Sequence, residues 1–187
     1  MSSRLPTRLL AVLLLAWAGL AGADDGGIVI RSGSLHERDG VYYMSAVVDY
    51  HLSAPAREAL DNGVPLVMEL DIQVLRKRWW WWNEVIAELA QRYRMQYHAL
   101  SERYVLTAVN SGESRSFHSL HALLDALGNV RGLPIIDAGL LDSHEHYQVR
   151  MRAALDIDSL PRPLRTVAYI SPGWRLVSDW RTWSLGS

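Results

Sequence analysis

Two long alternating runs of opposite parity fill residues 64–97, and they constrain the fold more than any other feature of the chain. Val64, Leu66, Met68, Leu70, Ile72 and Val74 share one parity, while Glu69, Asp71 and Gln73 take the other. Then Val85, Ala87, Leu89, Tyr93, Met95 and Tyr97 oppose Glu84, Glu88, Arg92, Arg94 and Gln96. Successive strand residues point to opposite faces, so each run is a strand with one buried side; a helix would scatter the apolar residues around its circumference. Joined by a short segment, the two runs predict a long antiparallel hairpin.

The same reasoning predicts further strands over Ile28–Leu35, Val41–Tyr50, Tyr104–Val109 and Tyr147–Ile157, with a less regular extended run from Trp174 to Trp183. Asp39-Gly40 between the first two favours the positive backbone angles of a tight hairpin turn. Two helices interrupt. Ser53–Gly63 carries a serine cap, an early proline and a terminal glycine, and Ser116–Gly128 places Phe117, Leu120, Leu123, Leu124 and Leu127 on one stripe. Gly132, Pro134 and Gly139 predict a loop over Asn129–Glu145, and Pro161-Arg162-Pro163 predicts another break. The expected architecture is mainly β: an antiparallel β-sandwich of about seven strands with two short helices. A transmembrane barrel fits poorly, because two amphipathic helices and a long irregular stretch interrupt the strands.

The first 23 residues read as an export signal. Arg4 and Arg8 precede an apolar run from Leu9 to Leu20, and Ala21-Gly22-Ala23 then offers a cleavage site. The expected division is a signal peptide over 1–23 and a single domain over 24–187, located in the periplasm. The alternative is an uncleaved signal holding the protein to the inner membrane. The chain has no cysteine, which removes both disulfides and lipid attachment at a cysteine. Cleavage would leave 17 of the 19 Lys and Arg against 20 Asp and Glu, a net charge of −3. A nucleic-acid partner is not expected from that balance.

Catalytic patterns are missing. There is no cysteine nucleophile and no Gly-x-Ser-x-Gly elbow, and neither glycine loop nor cofactor motif occurs. His144 and His146 lie two apart and would share a face at the start of a strand; His118 and His121 lie three apart, with Asp125 one turn beyond. Neither cluster alone supplies the three or four ligands of a zinc site. A metal-dependent enzyme built on either pair is therefore the third choice. The leading expectation is a protein without enzymatic activity or cofactor.

Half of the eight tryptophans stand together in the stretch RKRWWWWNE, residues 76–84. Arg76, Lys77 and Arg78 precede them, and Lys77 is the only lysine in the chain. Strand parity would carry Trp80 and Trp82 along the inward face and turn Trp79 and Trp81 outward with Lys77. An irregular reversal would instead let all four cap one end of the sandwich. The basic residues and outward indoles form the most credible contact surface, and a small-molecule or lipid platform at Trp79–Trp82 is the alternative. Peripheral membrane contact is a lesser option, since indoles favour the headgroup depth.

Tyr93-Arg94-Met95-Gln96-Tyr97-His98-Ala99-Leu100-Ser101 followed by Arg103-Tyr104-Val105 resembles the central signature of the DUF4390 family of exported proteobacterial proteins. Gly63-Val64-Pro65-Leu66, Leu155-Asp156, Leu160-Pro161-Arg162-Pro163-Leu164, and Trp174, Ser178 and Trp180 agree in order. The resemblance implies an exported domain without assigned catalytic residues. It also implies an envelope partner: members are often encoded beside a ribosomal RNA methyltransferase and a membrane-bound sensor kinase of the nitrogen-regulation type. Within the signature, Tyr93, Met95 and Tyr97 are expected to face inward, and His98, pointing the other way, is expected either as a polar partner at the sheet edge or as part of the recognition surface.

Overall fold

A computed structural model describes residues 26–78 and 82–185. Strands β1 (Gly27–Arg38) and β2 (Val41–His51) form a hairpin whose turn has Asp39 at φ 53° and Gly40 at φ 76°, as that dipeptide predicts. Helix α1 (Ala54–Asp61) follows, with Ser53 accepting the Ala56 N–H at 3.4 Å. Strands β3 (Leu66–Arg76) and β4 (Glu84–His98) make the long hairpin, continued by β5 (Arg103–Ala108) and β6 (Ser114–Phe117). Helix α2 (Leu120–Gly128) leads into β7 (Asn129–Asp137), then β8 (Tyr147–Leu155), helix α3 (Arg162–Ile170) and β9 (Arg181–Leu185).

All pairings are antiparallel. One sheet has the order β1-β2-β7, the other β6-β5-β4-β3-β8-β9, and neither closes on itself. The core lies between them. On β3, Leu66, Met68, Leu70, Ile72 and Val74 are all fully buried. They face Ile28, Ile30, Met44, Ala46 and Val48 of the smaller sheet within one hydrophobic cluster. The mainly β sandwich is thus present, with nine strands and three helices among the described residues rather than about seven and two.

Three segments depart from the expectation, each for a local reason. The stretch from Asn129, expected as loop, forms β7; bulges at Tyr42/Tyr43 and Met44/Ala46, with Gly132 at φ 56°, destroy its alternation. Ser116 is not a helix cap but part of β6, and Ser119 caps α2 by accepting the Ala122 N–H at 3.2 Å. Pro161-Arg162-Pro163 starts α3 instead of breaking the chain, because a proline in the first helical turn lacks only an N–H that would go unpaired.

The two flanks of the sandwich differ. Between β1 and β9 it is laced: Arg181 donates to the Ile30 and Arg31 carbonyl oxygens at 3.2 and 3.3 Å. Beside them a Cβ on Gly33 would stand 2.5 Å from the Trp183 ring, so glycine lets the indole lie flat on β1. The opposite flank gapes. Six strands at a spacing of about 4.8 Å span about 24 Å, and three strands span about 10 Å, so the smaller sheet cannot cover the inner face of the larger. Helix α2 covers part of the excess at β5 and β6. What remains is a cleft of about 530 Å³ bounded by β4, β5, β6, α2 and β7.

Candidate functional site

The end of the β3–β4 hairpin is built on ion pairs around Glu84. Arg78 Nη2 donates to Glu84 Oε2, and Arg76 Nη1 lies 3.7 Å from the same oxygen. The Arg78 hydrogen bond, its charge and that of Arg76 hold the Glu84 carboxyl below the usual glutamate range. The Arg76 side chain turns inward, in register with Tyr147, and its guanidinium sits 5.9 Å from that ring's centre. Its Nε is buried without a hydrogen-bond partner among the described residues. Arg76 therefore closes the end of the core more than it offers a surface. Lys77 and Arg78 are exposed, and the Lys77 N–H donates to the His146 carbonyl at 2.8 Å.

Trp82 is 85% exposed, which overturns its expected place on the inward face. Two features explain this. Strand β3 ends at Arg76, so parity does not carry through the reversal. Val74 also pairs with Ala87 while Leu75 pairs with Val85, leaving Ile86 as an extra residue on β4. Ile86 and Ala87 both pack on the core, and Val85, expected inward, is 46% exposed. Trp79, Trp80 and Trp81 lie outside the described residues.

His98 does not join this surface. It ends β4 opposite Arg103, while Glu84 begins β4 opposite Arg76. Fourteen residues at roughly 3.3 Å each separate the two ends by about 45 Å. His98 is exposed, and its carbonyl accepts the Ser101 N–H at 3.2 Å.

The histidine pairs are also placed differently. β8 begins at Tyr147, so His144 and His146 precede it on an exposed turn, where strand parity does not align them. The His144 N–H donates to Asp142 Oδ1 at 2.9 Å. His118 lies before α2, outside the helix; His121 lies on it, 3.3 Å from Asp125. Among the described residues no three His, Asp or Glu side chains converge as an ion would need.

The signature strand behaves largely as its parity predicts. Met95 is fully buried, and Tyr97 packs against Tyr104 with centroids 4.8 Å apart and the rings tilted by 43°. The Tyr104 hydroxyl donates to Asp61 Oδ1 at 2.8 Å, which ties β5 to α1. Burial and that acceptor push the Tyr104 phenol up to about 12. Tyr93 is half-buried on the inner face and lines the lateral cleft with Leu106 and Leu127. Behind it, the Tyr50 hydroxyl is buried without a partner among the described residues, and burial raises its pKa well above the usual phenol value.

The cleft residues Arg115, Arg131 and Leu133 escaped sequence reading because β6 was hidden in a helical pattern and β7 in a loop pattern. The one signal was the inward parity of Tyr93. On the outer face of the larger sheet, Arg150 and Arg152 lie 4.5 and 4.8 Å from the Trp180 ring. Arg152 donates to Asp71 at 2.7 Å, and Arg92 to Glu69 at 3.0 Å.

These features define an unclosed antiparallel β-sandwich with an ion-paired hairpin end bearing an exposed indole and an open lateral cleft. The chain belongs to DUF4390, a domain of unknown function, whose family model matches residues 25–184. No curated protein and no solved structure matches it.

Proposed function

We propose that this chain is an exported periplasmic interaction protein without enzymatic activity. It docks another envelope protein through the end of the β3–β4 hairpin, and the extracytoplasmic part of a membrane sensor kinase is the leading partner. The observation that carries this reading is the exposed Trp82, at 85%, beside Val85 and the exposed cations Lys77 and Arg78. Tryptophan and arginine dominate the binding energy of protein interfaces, where a large rigid side chain gains much area at little entropic cost. The ion pairs to Glu84 hold both strands together at the base of this end, which limits the ordering cost of binding.

Cross-linking in intact cells, followed by mass spectrometry, tests the reading. The expected result is a discrete adduct containing the kinase or another envelope protein, reduced when Trp82 and Arg78 are replaced by Ala. Recovery of the mature protein only as a free monomer under every growth condition would reject it.

A further inference from the structure

The lateral cleft combines an apolar floor with a rim that carries two guanidinium groups unpaired among the described residues. Tyr93, Ala108 and Leu133 present half-buried surface above Leu106 and Leu127. Four charged residues line it: Glu113 before β6, Arg115 on β6, Asp125 on α2 and Arg131 on β7. Asp125 is engaged by His121 at 3.3 Å. Among the described residues, neither Arg115 nor Arg131 has a carboxylate partner or a side-chain hydrogen bond, and Arg115 only stacks over Phe117 at 5.4 Å. Two guanidinium groups, one from each sheet, thus stand free at the rim, alongside the carboxylates of Glu113 and Asp125. A volume of about 530 Å³ lies within the range of small-molecule sites, roughly 300–1,000 Å³.

The strand flanking this opening argues against an added peptide strand. β7 carries Pro134, which has no N–H to donate, and Gly132 at φ 56° twists its edge. A compact ligand that needs no backbone ladder suits the site better. Apolar floor and free guanidinium groups together describe an amphiphile, and carboxylate or phosphate heads match the planar fork of arginine.

We infer that the lateral cleft, distinct from the hairpin end, binds an acyl-chain anion, with the chain on Tyr93, Leu106, Leu127 and Leu133 and the head group between Arg115 and Arg131. A free fatty acid and a lysophospholipid share this chemistry. The test is calorimetric titration of the mature protein with dodecanoate, lysophosphatidylglycerol, dodecyltrimethylammonium and a neutral alkyl glucoside, all below their micellar concentrations.

The expected result is saturable binding of one anionic amphiphile per chain, with the cationic and neutral probes at least about tenfold weaker. The preferred anion then distinguishes a fatty acid from a phospholipid source. Arg115→Gln and Arg131→Gln, both exposed and outside the core, should each weaken the anion about fivefold or more without lowering Tm. Ala108→Trp should fill the cleft and abolish binding, with circular dichroism confirming the fold. Equal binding of anionic and cationic probes, no saturable binding, or anion affinity unchanged in both arginine variants would overturn the assignment.

Discussion

A methyl group added at Gly128 would press into the Val48 carbonyl oxygen, a backbone atom that cannot rotate away. The last residue of α2 is glycine because the helix end lies directly on β2. Gly128→Ala should therefore cost about 2–3 kcal/mol, read by urea denaturation, although alanine is the better helix former. Ser178 is a second such position. It is 6% exposed, its Oγ accepts the Ala153 N–H at 3.0 Å and donates to the Asp179 carbonyl at 3.0 Å. Ser178→Ala strands both groups and should cost about 1–3 kcal/mol by the same measurement. Glu84 supplies a pH-dependent prediction. Its folded pKa is depressed by Arg78 and Arg76, so its favourable contribution is complete above the unfolded glutamate pKa and is lost as pH falls through the folded value. The Tm difference between the native protein and Glu84→Gln should be present near neutral pH and vanish under acid conditions. A difference independent of pH would remove the ion-pair explanation.

The elements differ in how far local pattern survives tertiary context. β3 is legible because its inward apolar residues meet the core and its outward Glu69, Asp71 and Gln73 meet polar partners across the sheet. Asp71, 18% exposed, takes the Arg152 guanidinium, and Gln73 bridges Glu88 and Arg150 at 2.6 and 2.7 Å. A double-mutant cycle on Asp71 and Arg152 should give a coupling of about 0.5–1 kcal/mol, the scale of a partly exposed pair. β7 was illegible because its bulges and Gly132 hide the period of two, and the Ile86 bulge on β4 turned Val85 outward against expectation. α3 was missed because a proline that opens a helix looks, one residue at a time, like one that ends a strand. The candidate site shows the same limit. The cations and aromatic residues of the hairpin end stood out by type, but the separation of about 45 Å from His98 depends on strand length and pairing, which spacing in the sequence does not reveal.

At the scale of the whole molecule, the two sheets contribute to a single apolar core, and Arg181 and Trp183 lace one flank shut. Thermal unfolding should thus be one cooperative transition, with far-ultraviolet circular dichroism and tryptophan fluorescence giving coincident midpoints. On the readings proposed above, the lateral cleft serves a small amphiphile and the end of the β3–β4 hairpin serves a macromolecular partner. Docking at the hairpin end is the central claim, and site-specific photo-cross-linking in living cells tests it most directly. A photoreactive side chain would replace the exposed Asn83, beside Trp82, in one strain and His98, at the far end of β4, in another. The expected result is a discrete adduct to an envelope protein from position 83 and none from position 98. Adducts of equal yield from both positions, or none from position 83, would contradict it.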